Sequence, residues 1–297
     1  MQSLSMKDLA LLIGIKATAL RTWKKHDYLK TFFPQKRKLF YDDKKLKQLL
    51  NISFLHHNGF AISRIATLTN EEIQEEVSRV GINPTNYKTW ILRLLQAAID
   101  VNEAAFVRML NQLSDKIGLK KLIVDVCYPY LQRVELIWER SNTIPVQEHF
   151  SIYHIQNKII SETENFSATQ NSEPELVLFC PEDAHPDLPL LFINYLLRKN
   201  RWRVLYLGID TKIEDIKEAA QLPGIKYLYV HFLTLYSAVS IDDYFEMLRK
   251  TFPNRIIIVS GAGIEQSQRN FVGMYKLKRD EEIYRFIERQ VVSNGEQ

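Results

Sequence analysis

The stretch MKDLALLIGIKATALRTW, residues 6–23, decides how the N-terminal end folds. Met6 to Ile13 make a short amphipathic helix that Gly14 ends, and a second helix is predicted from about Ala17 to His26. Ala10, Gly14, Ile15 and Leu20 stand at the spacing of a helix-turn-helix. A small residue lets two helices cross closely, a glycine takes the left-handed turn, and two apolar residues pin the second helix. With that face buried, Lys16, Thr18, Arg21, Thr22, Lys24 and Lys25 point outward, a set able to reach phosphates and base edges in a major groove. Next, Phe33 to Tyr41 read as a short basic hairpin bearing Lys36, Arg37 and Lys38, a wing for the adjacent backbone. Helices from Asp43 to His56 and Ala61 to Leu68, parted by Asn58-Gly59, close the small core.

Charge points the same way. The whole chain of 297 residues carries a formal +4, yet residues 1–50 hold twelve Lys or Arg against four acids, a net +8. The remainder is therefore at −4. A basic head on a mildly acidic body fits a head that meets a polyanion, though a solvated lysine-rich surface produces the same count. With 46% hydrophobic and 25% charged residues the chain is an ordinary globular one, which excludes disorder and fibres as descriptions of the whole. Two cysteines, Cys127 and Cys180, make no disulfide framework, and nothing beside them resembles a metal cluster. No apolar run approaches the ~20 residues of a membrane span, and the N-terminus lacks the order of a secretory leader. A cytoplasmic protein with no membrane partner is expected.

Beyond the head the chain divides again. Trp90, Leu92, Leu94 and Leu95, then Phe106, Met109, Leu110 and Leu113, repeat at three-four spacing, with further apolar stripes at 119–126 and 131–138. That is the pattern of a four-helix bundle over about 85–161. Ser161 to Pro174 is polar and reads as a linker. From Glu175, short apolar runs (Leu176–Cys180, Arg203–Leu207, Tyr227–His231, Ile256–Ser260) alternate with helical patterns near 189–199, 212–221 and 241–252. Near-continuous apolar strands between helices mean a parallel sheet covered on both faces. The predicted fold is thus multidomain, α and α/β: a winged helix-turn-helix at 1–75, a helical bundle at 85–161 and a doubly wound, Rossmann-like or flavodoxin-like domain at 175–292.

The head resembles the MerR family of transcriptional regulators, through Leu9-Ala10, Gly14, Leu20-Arg21-Thr22-Trp23, Pro34, Arg37, Tyr41 and Gly59-Phe60. The resemblance implies that Arg21 and Tyr41 contact phosphates, that Arg37 serves the wing, and that Trp23 packs rather than reads bases. Lys24-Lys25 stands where relatives usually carry glutamate-arginine.

Trp138, Glu148 and His149 are similar to the helical cap of cobalamin-binding domains, where the tryptophan covers the upper face of the corrin and the Glu-His pair lies near the upper ligand. A plain helix cap with a surface histidine accounts for the same two residues. Glu139 stands where light-sensing relatives place a histidine, so a photochemical switch is not expected.

Residues 175 to about 290 resemble the cobalamin-binding doubly wound domain. The resemblance assigns His185 to the lower cobalt position with Asp183 as its acidic partner. It assigns Thr234, Ser260, Gly261 and Gly263 to the hydroxyl and glycines that make room for the nucleotide tail. The departures are local. Leu188 replaces a glycine, Pro186 and Pro189 take the histidine and glycine places in an alternative alignment, and the loop holds three prolines.

Two function classes follow. The first is a non-enzymatic regulator that binds a double-stranded operator as a homodimer or higher homo-oligomer. Its C-terminal half either senses a ligand such as adenosylcobalamin or methylcobalamin, or is a degenerate cobalamin domain used for dimerisation or partner sensing. The second is a corrinoid-dependent methyltransferase or mutase subunit, which has no reason to carry a helix-turn-helix.

Overall fold

The structure, a computed structural model, describes residues 2–23, 25–26, 32, 39–41, 43–81, 83–138, 146–167, 173–182, 187–232 and 240–288. It divides into two compact units, Met1–Lys158 and Ile159–Gln297.

In the first unit, α1 (Met6–Ile13) begins at a capping box. The Ser5 hydroxyl accepts the Asp8 N–H at 3.2 Å, and the Asp8 carboxylate accepts the Ser5 N–H at 2.8 Å. Gly14 takes φ +69°, its N–H turned back onto the carbonyls of Ala10 and Leu11, so the left-handed turn expected there is formed. Helix α2 (Ala17–Trp23) is shorter than predicted. The N–H groups of Lys25 and His26 bond Thr22 O and Trp23 O in a tighter turn instead of continuing the helix. Strand β2 (Leu39–Tyr41) pairs antiparallel with β1 (Gln2–Leu4), a strand the sequence reading missed. The predicted hairpin residues 33–38 lie outside the described ones. Helix α3 (Asp43–His57) and the short α4 (Ile62–Ile65) follow, then α5 (Asn70–Arg79) behind a Thr69–Glu72 capping box.

Four helices then form the bundle: α6 (Tyr87–Ile99), α7 (Glu103–Ile117), α8 (residues 119–138) and α9 (Val146–Ser167). Helix α8 is interrupted by a π-helical stretch, Leu122–Cys127. Phe106 anchors the bundle, with ring centroids 5.7 Å from Tyr130 and 5.2 Å from Phe150. The Tyr130 hydroxyl lies 2.6 Å from that of Ser151. Helix α3 of the head packs on α6. Asn86 Nδ2 donates to His57 O, Lys47 meets Asp100 at 2.5 Å, and Arg93 lies over the Phe54 ring at 4.3 Å. Leu49, Leu50, Phe54, Leu94 and Leu95 are fully buried in and around this seam, each contributing about 1.5–3 kcal/mol.

Helix α9 runs to Ser167, into the stretch read as linker. Thr163 is buried there with its hydroxyl bonded to Ile159 O, and Phe166 packs edge-on to Tyr195. Polarity marked that segment as loop, but one buried face is enough to keep it helical.

The second unit is a five-stranded, wholly parallel sheet. Its strands are β3 (Leu176–Pro181), β4 (Val204–Thr211), β5 (Tyr227–His231), β6 (Ile256–Ser260) and β7 (Met274–Leu277), in the order β4-β3-β5-β6-β7. Helices α10 (Asp187–Lys199), α11 (Ile213–Gln221), α12 (Ile241–Thr251) and α13 (Asp280–Ile287) connect and cover the strands. Strand β3 is buried along its whole length because it has a neighbour on each side and a helix layer on each face. One face packs Phe179, Val230, Phe232 and Val259 on Ile216, Ala220, Phe245 and Leu248 of α11 and α12. On the other face Tyr229 and Trp202 meet Phe286 at 5.7 and 5.1 Å, and Trp202 Nε1 donates to Ile287 O. The strand order reverses between β3 and β5, and open parallel sheets hold ligands beyond the carboxyl ends of the strands at that point.

Candidate nucleic-acid interface and ligand site

Helix α2 has two faces of different chemistry. Leu20 and Trp23 are buried, Trp23 edge-on to His56 at 5.3 Å. Lys16, Thr18, Arg21, Thr22 and Lys25 are all exposed. Thr22 Oγ donates to Ala19 O at 2.7 Å, so toward a base edge it offers only acceptor capacity. Lys24, Lys36, Arg37, Lys38 and the side chain of Tyr41 lie outside the described residues.

The turn that aims α2 is held from three sides. Ser53 Oγ donates to Ile13 O at 2.7 Å and His57 Nε2 lies 3.1 Å from the same oxygen. Arg133 Nη1, on α8, donates to Leu12 O at 3.3 Å. None of these three residues was singled out from the sequence, because each stands on a helix where its type reads as an ordinary surface or core position.

Residues 4–72 match the family described as MerR HTH family regulatory protein. The head is a MerR-type helix-turn-helix domain. A MerR-type head points to a DNA-binding transcriptional regulator and away from an enzyme. No curated protein matches the chain. In fold it is similar to the monomethylamine corrinoid protein of Methanosarcina barkeri, with a TM-score of 0.51, 16% identity, and 66% of this chain aligned to 96% of that one. A chain of the methanol:cobalamin methyltransferase complex MtaBC from the same organism aligns at 16% identity over 79% of this chain and 93% of that one. Its TM-score is 0.35. Among the described residues no helix is long and apolar enough to cross a membrane, and no group of three or more His, Cys, Asp or Glu could hold a metal ion.

Behind the MerR-type head, the residues assigned to a cobalamin fall in several places. Trp138 is the last residue of α8, and its side chain is outside the described set. Glu148 and His149 stand in the first turn of α9, Glu148 half-buried and favourably placed at the helix N-terminus, His149 exposed. Asp183, His185 and Thr234 lie outside the described residues.

Ser260 ends β6 beside the end of β5, Gly261 and Gly263 follow it, and all three are engaged by the protein itself. Ser260 Oγ is 2.9 Å from His231 Nδ1, and both residues are buried. Gly261 has φ +98°, and a Cβ built on it would stand 1.8 Å from Phe232 O. Gly263 N–H donates to Phe232 O at 3.3 Å, while Phe232 N–H donates to Ser260 O at 2.8 Å.

His231 was read only as the end of an apolar strand. Burial lowers its pKa to about 4, so the ring is neutral, and among the described residues its Nε2 has no partner. Toward a cobalamin, the described residues at the end of the sheet offer the orphaned His231 Nε2. The space at Gly261 is filled by the Phe232 backbone, the Gly263 N–H is bonded to Phe232 O and the Ser260 hydroxyl to His231, an arrangement that does not fit a nucleotide tail at Gly261.

Proposed function

We propose that the protein is a MerR-type transcriptional regulator that binds a double-stranded operator as a homo-oligomer, and that its C-terminal half senses a ligand to control assembly and operator binding. The observation that carries this reading is the family match over residues 4–72 together with the exposed face of Lys16, Thr18, Arg21 and Lys25 on α2. The net +8 of residues 1–50 supplies a salt-dependent phosphate attraction, and the outward residues of α2 supply contacts to base edges.

Replacing Arg21 or Lys25 with alanine is expected to weaken operator binding by about 1.5 kcal/mol, roughly tenfold. Arg21→Ala is further expected to lower the slope of log affinity against log salt by about one. Fluorescence anisotropy on a duplex selected by the wild-type protein measures both quantities, and an unchanged slope removes the phosphate role of Arg21.

A cobalamin is the ligand class supported by the corrinoid-protein-like fold, the strand order and a His231 Nε2 that has no partner among the described residues. Within the second unit Asp183 and His185 would hold it, and the group would supply a rigid plane whose binding favours one conformation of that unit over another. A second reading, a degenerate domain used for dimerisation or partner sensing, is favoured by the engagement of Ser260, Gly261 and Gly263 described above. Incubation with adenosylcobalamin in the dark followed by desalting separates the two. Retained colour is expected on the ligand reading, and a colourless protein after saturating cofactor leaves the degenerate domain. His185→Ala alters the visible spectrum only if that histidine reaches the cobalt.

A further inference from the structure

A buried guanidinium normally sits against a carboxylate, because desolvating an unpaired charge is costly. Arg133 breaks that pattern. It is 8% exposed, burial lowers its pKa to about 10, and among the described residues it forms no ion pair. What faces it is the C-terminal end of α1. Nη1 donates to Leu12 O, and a Cβ built on Gly14 would lie 3.1 Å from Nη2. Helix α1 has no basic residue in its own last turn, so the carbonyls at its negative end are satisfied by side chains from elsewhere. Ser53 and His57 take Ile13 O from within the head. Arg133 takes Leu12 O from the bundle helix that ends at Trp138.

Gly14 is the joint at which the chain turns from α1 into α2, so a group pressed on that joint sets the angle of α2. Upstream of Arg133, α8 carries the π-helical stretch Leu122–Cys127, a form of winding found mostly as single turns inside α-helices and frequently at functional sites. We propose that Arg133 is a positioning residue that ties the α1–α2 turn to the bundle, so that movement of α8 re-aims the DNA-reading helix and DNA binding in turn restrains α8. This rests on the DNA-binding reading above and adds its route of control. Such coupling is reciprocal by thermodynamic necessity.

The test uses the full chain. A duplex is selected from a random pool with the wild-type protein, then offered to Arg133→Lys, which keeps the charge but loses the planar fork, and to Arg133→Met, which loses both. Both variants are expected to bind the duplex more weakly, Arg133→Met by about tenfold, with an unchanged salt slope because no phosphate contact is removed. Hydrogen exchange followed by mass spectrometry supplies the readout that a merely structural role does not move. In the wild type the duplex slows exchange in residues 128–138 as well as in α2, and in the variants the protection of 128–138 is lost. Wild-type affinity together with retained protection of 128–138 in both variants overturns the proposal. Should Arg133→Met fail to fold, Arg133→Lys decides alone. If no duplex is enriched, the DNA-binding reading fails by itself. The tie is then judged by whether Arg133→Lys speeds exchange at residues 14–23, and unchanged exchange there overturns it.

Discussion

Gly261→Ala is expected to unfold the carboxyl end of the sheet, at a cost of about 4 kcal/mol or more. Two effects add. The backbone at φ +98°, ψ 164° lies in a region open almost only to glycine. Independently, the new methyl group would stand 1.8 Å from Phe232 O, 2.7 Å from Phe232 C and 3.0 Å from Phe232 N. These are backbone atoms between β5 and its following loop, and they cannot swing aside as a flexible side chain does. Relief requires parting β5 from β6, which breaks the bonds Phe232 N–H to Ser260 O and Gly263 N–H to Phe232 O. A whole domain is stable by only about 5–15 kcal/mol, so the loss is a large share of the total. Gly208→Ala is the control within the same unit. Its φ is +87°, but the nearest atom to a new Cβ is Tyr206 Cε1 at 3.8 Å, so only the backbone strain of about 1 kcal/mol is expected. Urea titration read by hydrogen exchange in β5 and β6 measures both. Equal effects of the two variants would show that the close approach to Phe232 is not what requires the glycine.

Lowering the pH from 7 to 4 is expected to remove about 3 kcal/mol from the sheet unit through His231 alone. The folded ring is held neutral by burial, with its pKa lowered to about 4 from 6.5. Below pH 6.5 the unfolded chain takes up a proton that the folded protein refuses, so the unfolded state binds more protons and stability falls as the pH falls. The loss begins near 6.5, grows by about 1.4 kcal/mol per pH unit and levels off near 4. His231→Asn keeps a polar partner for Ser260 without the titration, and its stability–pH curve is expected to lack this component between 4 and 6.5. Denaturant melts of the two proteins at a series of pH values give the difference curve, and superimposable curves would contradict the burial of a neutral ring.

Local signals were strong where one element buries one face by itself. Gly14 marks the end of α1 because a left-handed turn acts within a few residues. Strands β3, β5 and β6 were legible because a strand covered on both faces must be apolar nearly throughout. Strand β7 was not, since Met274-Tyr275-Lys276-Leu277 is an edge strand whose first three residues stay partly or wholly accessible. Strand β1 was missed for a different reason: Gln2-Ser3-Leu4 is extended only through its pairing with Leu39-Phe40-Tyr41. Helix α9 outran its polar sequence because Thr163 and Phe166 found partners.

The candidate site shows the same division. The outward set on α2 follows from helical spacing once Leu20 and Trp23 are placed inward. His231 and Ser260 meet only through the register of β5 on β6, which pairs them across the two strands. Arg133 stands between Gln132 and Val134 as an unremarked charge in an amphipathic helix, and nothing near it in the chain foretells a contact with Leu12.

By itself, then, the order of residues determined a basic helix-turn-helix head, a helical middle and a parallel sheet, because periodicity, caps and turn residues act over one or two turns of chain. The tertiary structure alone decided which polar groups are spent and which are left over. It committed Ser260, Gly261 and Gly263 to the joint between β5 and β6, left His231 Nε2 without a partner among the described residues, and brought Arg133 onto the turn that aims α2. Desolvation and close approach depend on neighbours distant in the chain, and only the packed molecule chooses those neighbours.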